Sequence, residues 1–358
     1  MMDGSLLLLG LSGPELTAAE AALFRNLQPA GYILAPRNVV TPQQTRKLTD
    51  DLRGLSNELP IIAIDPSGGP SCPTRAIAPA APAATALAAA KDLGKIADAG
   101  AFTGDLLRLL GINLALGPVL DLDHFPHPAN TPLAPRWNRD PQRVIDYAGQ
   151  WNRWLRKRHV ATCVKYFPAG GRATADPQHG FPSSPATLEE LLREDVIPYT
   201  ALMPELDAVM TGHVLFPNID PDHPAAFSPR IVRRFLRDQL GFDRHLVLTD
   251  IPGAEADSTR HDCGVSVELA IGAGNDLAVI RDRTEMVEPA AHSIAGLPHW
   301  MTEEARDRVE RFRRKKLHPP VTWSDRKWQA ACEAMAKLAG GFPADSGEIQ
   351  TKRPELDV

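Results

Sequence analysis

The stretch DPQRVIDYAGQWNRWLRKRHVATCVKYFPAGG, Asp140–Gly171, changes its period halfway along. The first half is amphipathic at helical spacing and begins at an aspartate, a residue type whose side-chain oxygen caps helix N-termini. The second half contains ATCVKYF, from Ala161, an apolar run without regular alternation. A strand reads this way when both of its faces are covered, as in a parallel sheet with helices packed outside it. The stretch therefore reads as one helix–strand unit that opens into a Gly-Gly loop.

The same unit recurs on both sides. Runs of strand type begin at Ser5 (SLLLLGL), Gly31 (GYILAP), Pro60 (PIIAID), Ile112 (INLALGPVLD), Asp207 (DAVMTGH), Leu246 (LVLTD) and Asp276 (DLAVI). Between them lie helical patterns such as those beginning at Thr17, Thr41 and Thr187, each led by a capping residue. Alternating β and α segments imply a parallel sheet. About eight units in roughly 250–300 residues predict an α/β fold of the closed (β/α)8 TIM type. An open doubly wound sheet is the competing architecture. No GxGxxG or GxxxxGK[ST] follows the first run, which counts against its nucleotide-binding versions. The barrel is expected over residues 1–298. Beyond Pro298 the alternation stops, and residues 299–358 read as a C-terminal extension of two helices followed by a loose polar tail from Gly341.

Composition narrows the function. The chain has 358 residues, 43% of them hydrophobic, so it can bury a large core. A net charge of −5 and a pI near 6.1 speak against nucleic acid as a partner. The basic run RDRVERFRRKK (Arg306–Lys316) is interleaved with acids and reads as a solvated helix face. Cys72, Cys163, Cys263 and Cys332 are far apart and form no CxxC pair, which fits reduced thiols and a cytoplasmic protein. SLLLLGL is too short to span a bilayer, and no other stretch is long and apolar enough, so no membrane partner is expected.

In a barrel of this type chemistry sits at the C-terminal ends of the strands. The third run ends in Asp65, the fourth in Asp121, the fifth carries Lys165, the sixth ends in His213 and the seventh in Asp250. Any one of these can be a polar residue that merely closes a strand. Five together point to a common rim.

The words around these residues resemble the catalytic domain of glycoside hydrolase family 3, most of all its compact bacterial β-N-acetylhexosaminidases. DPSGG (Asp65–Gly69) is similar to the family's DxEGG, PVLD (Pro118–Asp121) to its PVLD, and KYFPAGG (Lys165–Gly171) to its KHFPGHG. MTGHV (Met210–Val214) is similar to MTAHV, and LRDQLGFDRHLVLTD (Leu236–Asp250) to a block that ends in SD. Arg136 precedes a DP helix start, as an arginine does in the family. Each word is weak alone. Their order and spacing carry the resemblance, which runs from near the N-terminus to about Pro298.

The resemblance implies a retaining β-glycosidase that removes terminal N-acetylglucosamine-type residues from a carbohydrate substrate. It implies no cofactor and no metal, and a monomer is expected. Asp250 takes the place of the nucleophile, which forms and then releases a glycosyl-enzyme. Asp65, Arg136, Lys165, Tyr166 and His213 take substrate-binding places. Family members carry the acid/base histidine in a D-S-H-x-x-x-P loop, oriented by the aspartate two positions before it. This chain reads D-P-Q-H-G-F-P, Asp176–Pro182. In that register Asp176 is the orienting aspartate, Gln178 stands at the acid/base position, and His179 falls one place late. Glutamine does not titrate and cannot exchange a proton with the leaving oxygen. Other family groups differ as well: Ser67 stands for Glu, Pro70 for Arg, Tyr166 for His and Gly170 for His. Retained binding residues beside an altered acid/base leave a second reading open, a barrel that binds amino sugars or cell-wall fragments without efficient turnover.

Weaker candidates remain. HFPHP (His124–Pro128) puts two histidines near a strand end, but with no third ligand in view it reads as loop. Trp137 can stack on a sugar face or simply pack, and Cys163 reads as a small buried hydrophobe.

Overall fold

The capping residues read from the sequence do start helices. In a computed structural model of the chain, Thr17 accepts from the backbone N–H of Glu20, Thr41 from Gln44, Asp140 from Gln142 and Thr187 from Glu190. Three of these are reciprocal capping boxes in which the third helical residue returns the bond. The structure describes residues 2–69, 72–124, 136–173, 181–251, 263–282 and 284–342.

Each of the eight apolar runs contributes a strand to one closed barrel. In chain order these are β1 (Leu7–Leu9), β2 (Gly31–Leu34), β3 (Ile61–Ile64), β4 (Leu114–Ala115), β5 (Ala161–Phe167), β6 (Ala208–Thr211), then β9 (Leu246–Asp250) and β10 (Leu277–Ile280). Between the last two groups lies a short antiparallel hairpin, β7 (Leu215–Phe216) with β8 (Asp220–Pro224), which sequence periodicity did not reveal. The barrel order is β1-β10-β9-β6-β5-β4-β3-β2, and every ladder is parallel. Closure removes both sheet edges. The fold is therefore the predicted (β/α)8 barrel.

Two local departures shape the rim. The long run at Ile112 makes only a two-residue strand, after which Val119 forms a single bridge with Lys165. The ladder of β5 with β6 shifts register between Val164 and Phe167. Irregularities of this kind re-aim side chains at barrel rims, and here they fall on Lys165 and Tyr166.

Beyond Pro298, helices His299–Lys316 and Asp325–Ala339 pack against the barrel and bury Ala305, Val309, Phe312, Trp328, Met335 and Leu338. The first corrects the reading of the basic run as a solvated face. Arg306 pairs with Asp3, Arg308 Nε with Asp276 Oδ1 at 2.7 Å, Lys316 Nζ with Asp207 Oδ1 at 2.8 Å, and Arg313 donates to the Ala30 carbonyl at 3.0 Å. Asp3, Ala30, Asp207 and Asp276 all precede strands, so this helix crosses the floor of the barrel, opposite the C-terminal ends of the strands. Among the described residues no helix is long and apolar enough to cross a membrane. The expected loose tail lies outside the described residues from 343 onward.

Candidate active site

Lys165 is 1% exposed, an unusual burial for an ammonium group. Its Nζ donates to Asp65 Oδ2 at 2.5 Å. Burial alone would lower the lysine's pKa, but the Asp65 charge beside it wins and raises it. Asp65 is the mirror case. Burial pushes its carboxyl up, while the Lys165 charge and the bonds from Lys165 and Ser67 bring it below its usual range. Ser67 Oγ donates to Asp65 Oδ1 at 2.6 Å, so the residue that replaces the family's glutamate has a definite partner. Both members of this pair are thus held in their charged forms at neutral pH.

Beside the pair opens a cavity of about 220 Å³, whose lining includes Asp250, Arg136, Tyr166, His213 and Asp121. Asp250 ends β9, and His213 follows β6. The His213 Nε2 lies 2.8 Å from the Asp250 backbone carbonyl. A carbonyl only accepts, so Nε2 carries the proton. The Tyr166 ring lies 5.2 Å from the Lys165 Nζ. Arg136 is 8% exposed and reaches the Gly170 carbonyl at 3.4 Å and Asp123 at 3.5 Å. Four of the eight predicted site residues therefore line one cavity, and Asp65 and Lys165 pair at the same rim. Asp176 and His179, with Gln178, lie outside the described residues.

Asp121 holds the floor of this site. Its Oδ1 accepts from the backbone N–H groups of Gly170 at 2.9 Å and Tyr166 at 3.3 Å. Burial pushes its pKa up to about 7, against the pull of Arg136 and those two donors. A Cβ at position 170 would stand 2.5 Å from Asp121 Oδ2. The glycine that replaces the family's histidine and the seat of this carboxyl therefore go together.

One site residue was not singled out from the sequence. Arg281, directly after β10, clamps Asp250 with both ends of its guanidinium: Nε to Oδ1 at 2.6 Å and Nη2 to Oδ2 at 3.0 Å. The signal was present, since Arg281 follows the last apolar run as Asp65 follows the third. With it, three carboxyls (Asp65, Asp121, Asp250) face three cations (Lys165, Arg136, Arg281). Such a rim offers fixed donors and acceptors rather than a large net charge, which suits a polar uncharged ligand.

The weaker candidates resolve into packing. Trp137 is 6% exposed and packs in a second, largely apolar recess with Trp151, Leu87 and Leu116, which Ser67 and Lys165 also line. Cys163 is fully buried inside β5. His124 Nε2 lies 2.7 Å from Asp195, which also pairs with Arg172 at 2.5 Å, and Arg172 reaches Glu194 at 2.7 Å. The arginine answers the charge of both carboxylates. The second histidine of that loop, His127, lies outside the described residues.

Comparison with known proteins gives this arrangement a family. The sequence is 32% identical over 297 residues to a protein of Pseudomonas aeruginosa named beta-hexosaminidase, covering 83% of this chain and 88% of that one. The fold superposes with a TM-score of 0.81 and 27% identity on a glycoside hydrolase family 3 beta-N-acetylglucosaminidase from Paenibacillus sp., covering 94% of this chain and 67% of that one. It also superposes with a TM-score of 0.85 and 26% identity on a fungal multi-domain beta-N-acetylglucosaminidase of family 3; 94% of this chain is covered, and it spans 42% of that one. The family model described as the glycosyl hydrolase family 3 N terminal domain matches residues 5–312, and on this ground the chain belongs to glycosyl hydrolase family 3.

Proposed function

We propose that the chain is a retaining β-glycosidase that releases terminal N-acetylglucosamine-type residues, with Asp250 as nucleophile, working as a monomer in the cytoplasm. The carrying observation is the position of Asp250 at the end of β9, in one cavity with Arg136, Tyr166 and His213. In this reading the carboxylate attacks the anomeric carbon, the bond to the leaving oxygen breaks, and water later releases the sugar. Asp65 accepts from sugar hydroxyls while Lys165 and Arg136 donate, which fixes the ring against the nucleophile. The four free cysteines fit a reducing compartment.

Proton supply is the weak part of this machinery, because Gln178 stands where an acid is required. Asp176 and His179 are the groups the loop offers, and His179 serves only if the loop shifts by one residue. The test follows from the leaving group. The nitrophenolate of a nitrophenyl N-acetyl-β-glucosaminide departs without a proton, whereas the hydroxyl oxygen of a second sugar needs one. Turnover of the aryl substrate should exceed that of a natural disaccharide by a gap about 10²–10⁴-fold wider than for an enzyme with an intact acid/base. Asp250→Asn should abolish aryl-substrate turnover while N-acetylglucosamine still binds in calorimetry. Full activity in that variant would remove Asp250 from the mechanism. Binding without turnover of any substrate favours the second reading, an amino-sugar-binding barrel, to which the Gln178 position points.

A further inference from the structure

Asp250 does not stand free in its cavity. Both carboxylate oxygens accept from one guanidinium, at 2.6 and 3.0 Å, in the two-point geometry that makes arginine–carboxylate pairs strong. The arginine itself is held in place. β10 runs beside β9 with Val279 opposite Asp250, which sets Arg281 just past the carboxylate. The Gly10 N–H donates to the Ile280 carbonyl at 2.7 Å, and a Cβ at Gly10 would stand 1.8 Å from the Arg281 carbonyl oxygen. Only glycine permits β1 to approach this closely. From the other side Arg37 Nη2 donates to the same carbonyl at 2.6 Å. The other acid that acts on Arg281, Asp65, is already committed to Lys165 and Ser67.

We propose that Arg281 is a positioning residue that restrains the nucleophile: its ion pair with Asp250 stabilises the resting carboxylate and slows the first chemical step. The inference rests on Asp250 being the nucleophile. When an Asp250 oxygen bonds to the anomeric carbon, the glycosidic bond breaks and its electron pair leaves with the aryl oxide. The carboxylate becomes a neutral ester, so its attraction to Arg281 is lost on the way to the transition state. An interaction stronger in the ground state than in the transition state raises the barrier. The second step runs the other way. Water attacks the anomeric carbon and gives up a proton to the solvent, the ester bond breaks, and its electron pair returns to Asp250. Arg281 stabilises that returning charge and speeds the step.

Removing the guanidinium should therefore change the two steps in opposite directions, which a merely structural role would not do. Stopped-flow release of nitrophenolate from the aryl glucosaminide separates them, and intact mass detects the glycosyl-enzyme. Wild type should show no burst and little covalent intermediate. Arg281→Met should release the first equivalent about 10- to 100-fold faster, the span expected for losing one charged hydrogen-bond partner, and should accumulate the intermediate. Arg281→Lys, which keeps the charge but a single contact point, should lie between, and it carries the test if Arg281→Met does not fold. A first step in the variants no faster than in wild type overturns the restraint and leaves the glycosidase reading intact. A burst that survives in Arg281→Met combined with Asp250→Asn reveals another nucleophile and overturns both. Absence of turnover in every variant also overturns both.

Discussion

Asp121 ties the candidate site to the pH response of the fold. Its carboxyl is buried, and burial lifts its pKa from an ordinary 3.8 to about 7. The folded chain then holds this proton more tightly than the unfolded chain between those two values. Its contribution to stability is complete below the unfolded pKa and is lost as pH rises through the folded one. Asp121→Asn retains the shape and an acceptor for the Gly170 N–H but has no proton to lose. Urea unfolding at a series of pH values should show the variant gaining on wild type by at least about 1 kcal/mol between pH 4 and pH 7.5. Parallel profiles would show that the Asp121 proton does not matter. At this scale the sequence was legible wherever an ionisable residue closes an apolar run, and Asp65, His213 and Asp250 were found that way. Arg281 closes the last apolar run in the same way and was passed over; what the sequence does not show is its partner Asp250 on the neighbouring strand, because strand pairing is set by tertiary packing.

Helix His299–Lys316 shows why a charge run is ambiguous. Interleaved Arg, Lys and Glu give the composition of a solvated face, yet only part of this helix behaves as one. Arg314 is 72% exposed and, among the described residues, pairs with Glu310 on its own helix. Arg308 is 14% exposed and bonds Asp276, which is fully buried and also accepts from Arg237 and from the Val247 N–H, each at 2.8 Å. The two arginines should respond differently to removal. Arg308→Ala leaves a buried carboxylate with one cation fewer and should cost about 1.5–3 kcal/mol in urea unfolding. Arg314→Ala removes an exposed pair and should change stability by no more than about 0.5 kcal/mol. Equal effects would mean that the floor contacts contribute nothing special. The helix itself was readable from its period. Which of its faces meets the barrel was not, because the acids it answers lie far away in sequence, at Asp3, Asp207 and Asp276.

At the scale of the whole molecule the barrel was the most legible feature, since eight covered strands each leave an apolar run and closure needs no further signal. The lower boundary is a different matter. The strand–helix alternation stops at Pro298, but the family match continues to residue 312, inside the floor helix. Helix Asp325–Ala339 lies beyond that match and packs on helix Leu93–Leu109. The two helices should therefore differ in what they contribute. A chain ending at Leu317 keeps the cations that answer Asp3, Asp207 and Asp276, and loses the outer helix that buries Trp328, Met335 and Leu338 together with the His318, Pro319 and Val321 carbonyls that accept from Arg108 and Arg46. It should melt earlier than the full chain but in one cooperative transition. A chain ending at Pro298 leaves the buried Asp207 without Lys316 and Asp276 without Arg308, and uncovers the apolar surface under Ala305, Val309 and Phe312. Each carboxylate keeps one arginine, Arg156 or Arg237, but losing a charged partner costs about 1.5–3 kcal/mol, and two such losses are a large share of the roughly 5–15 kcal/mol that holds a domain folded. That chain should lose its cooperative transition in calorimetry. If it melts as sharply and as late as the chain ending at Leu317, residues 1–298 fold alone and the floor helix is an accessory.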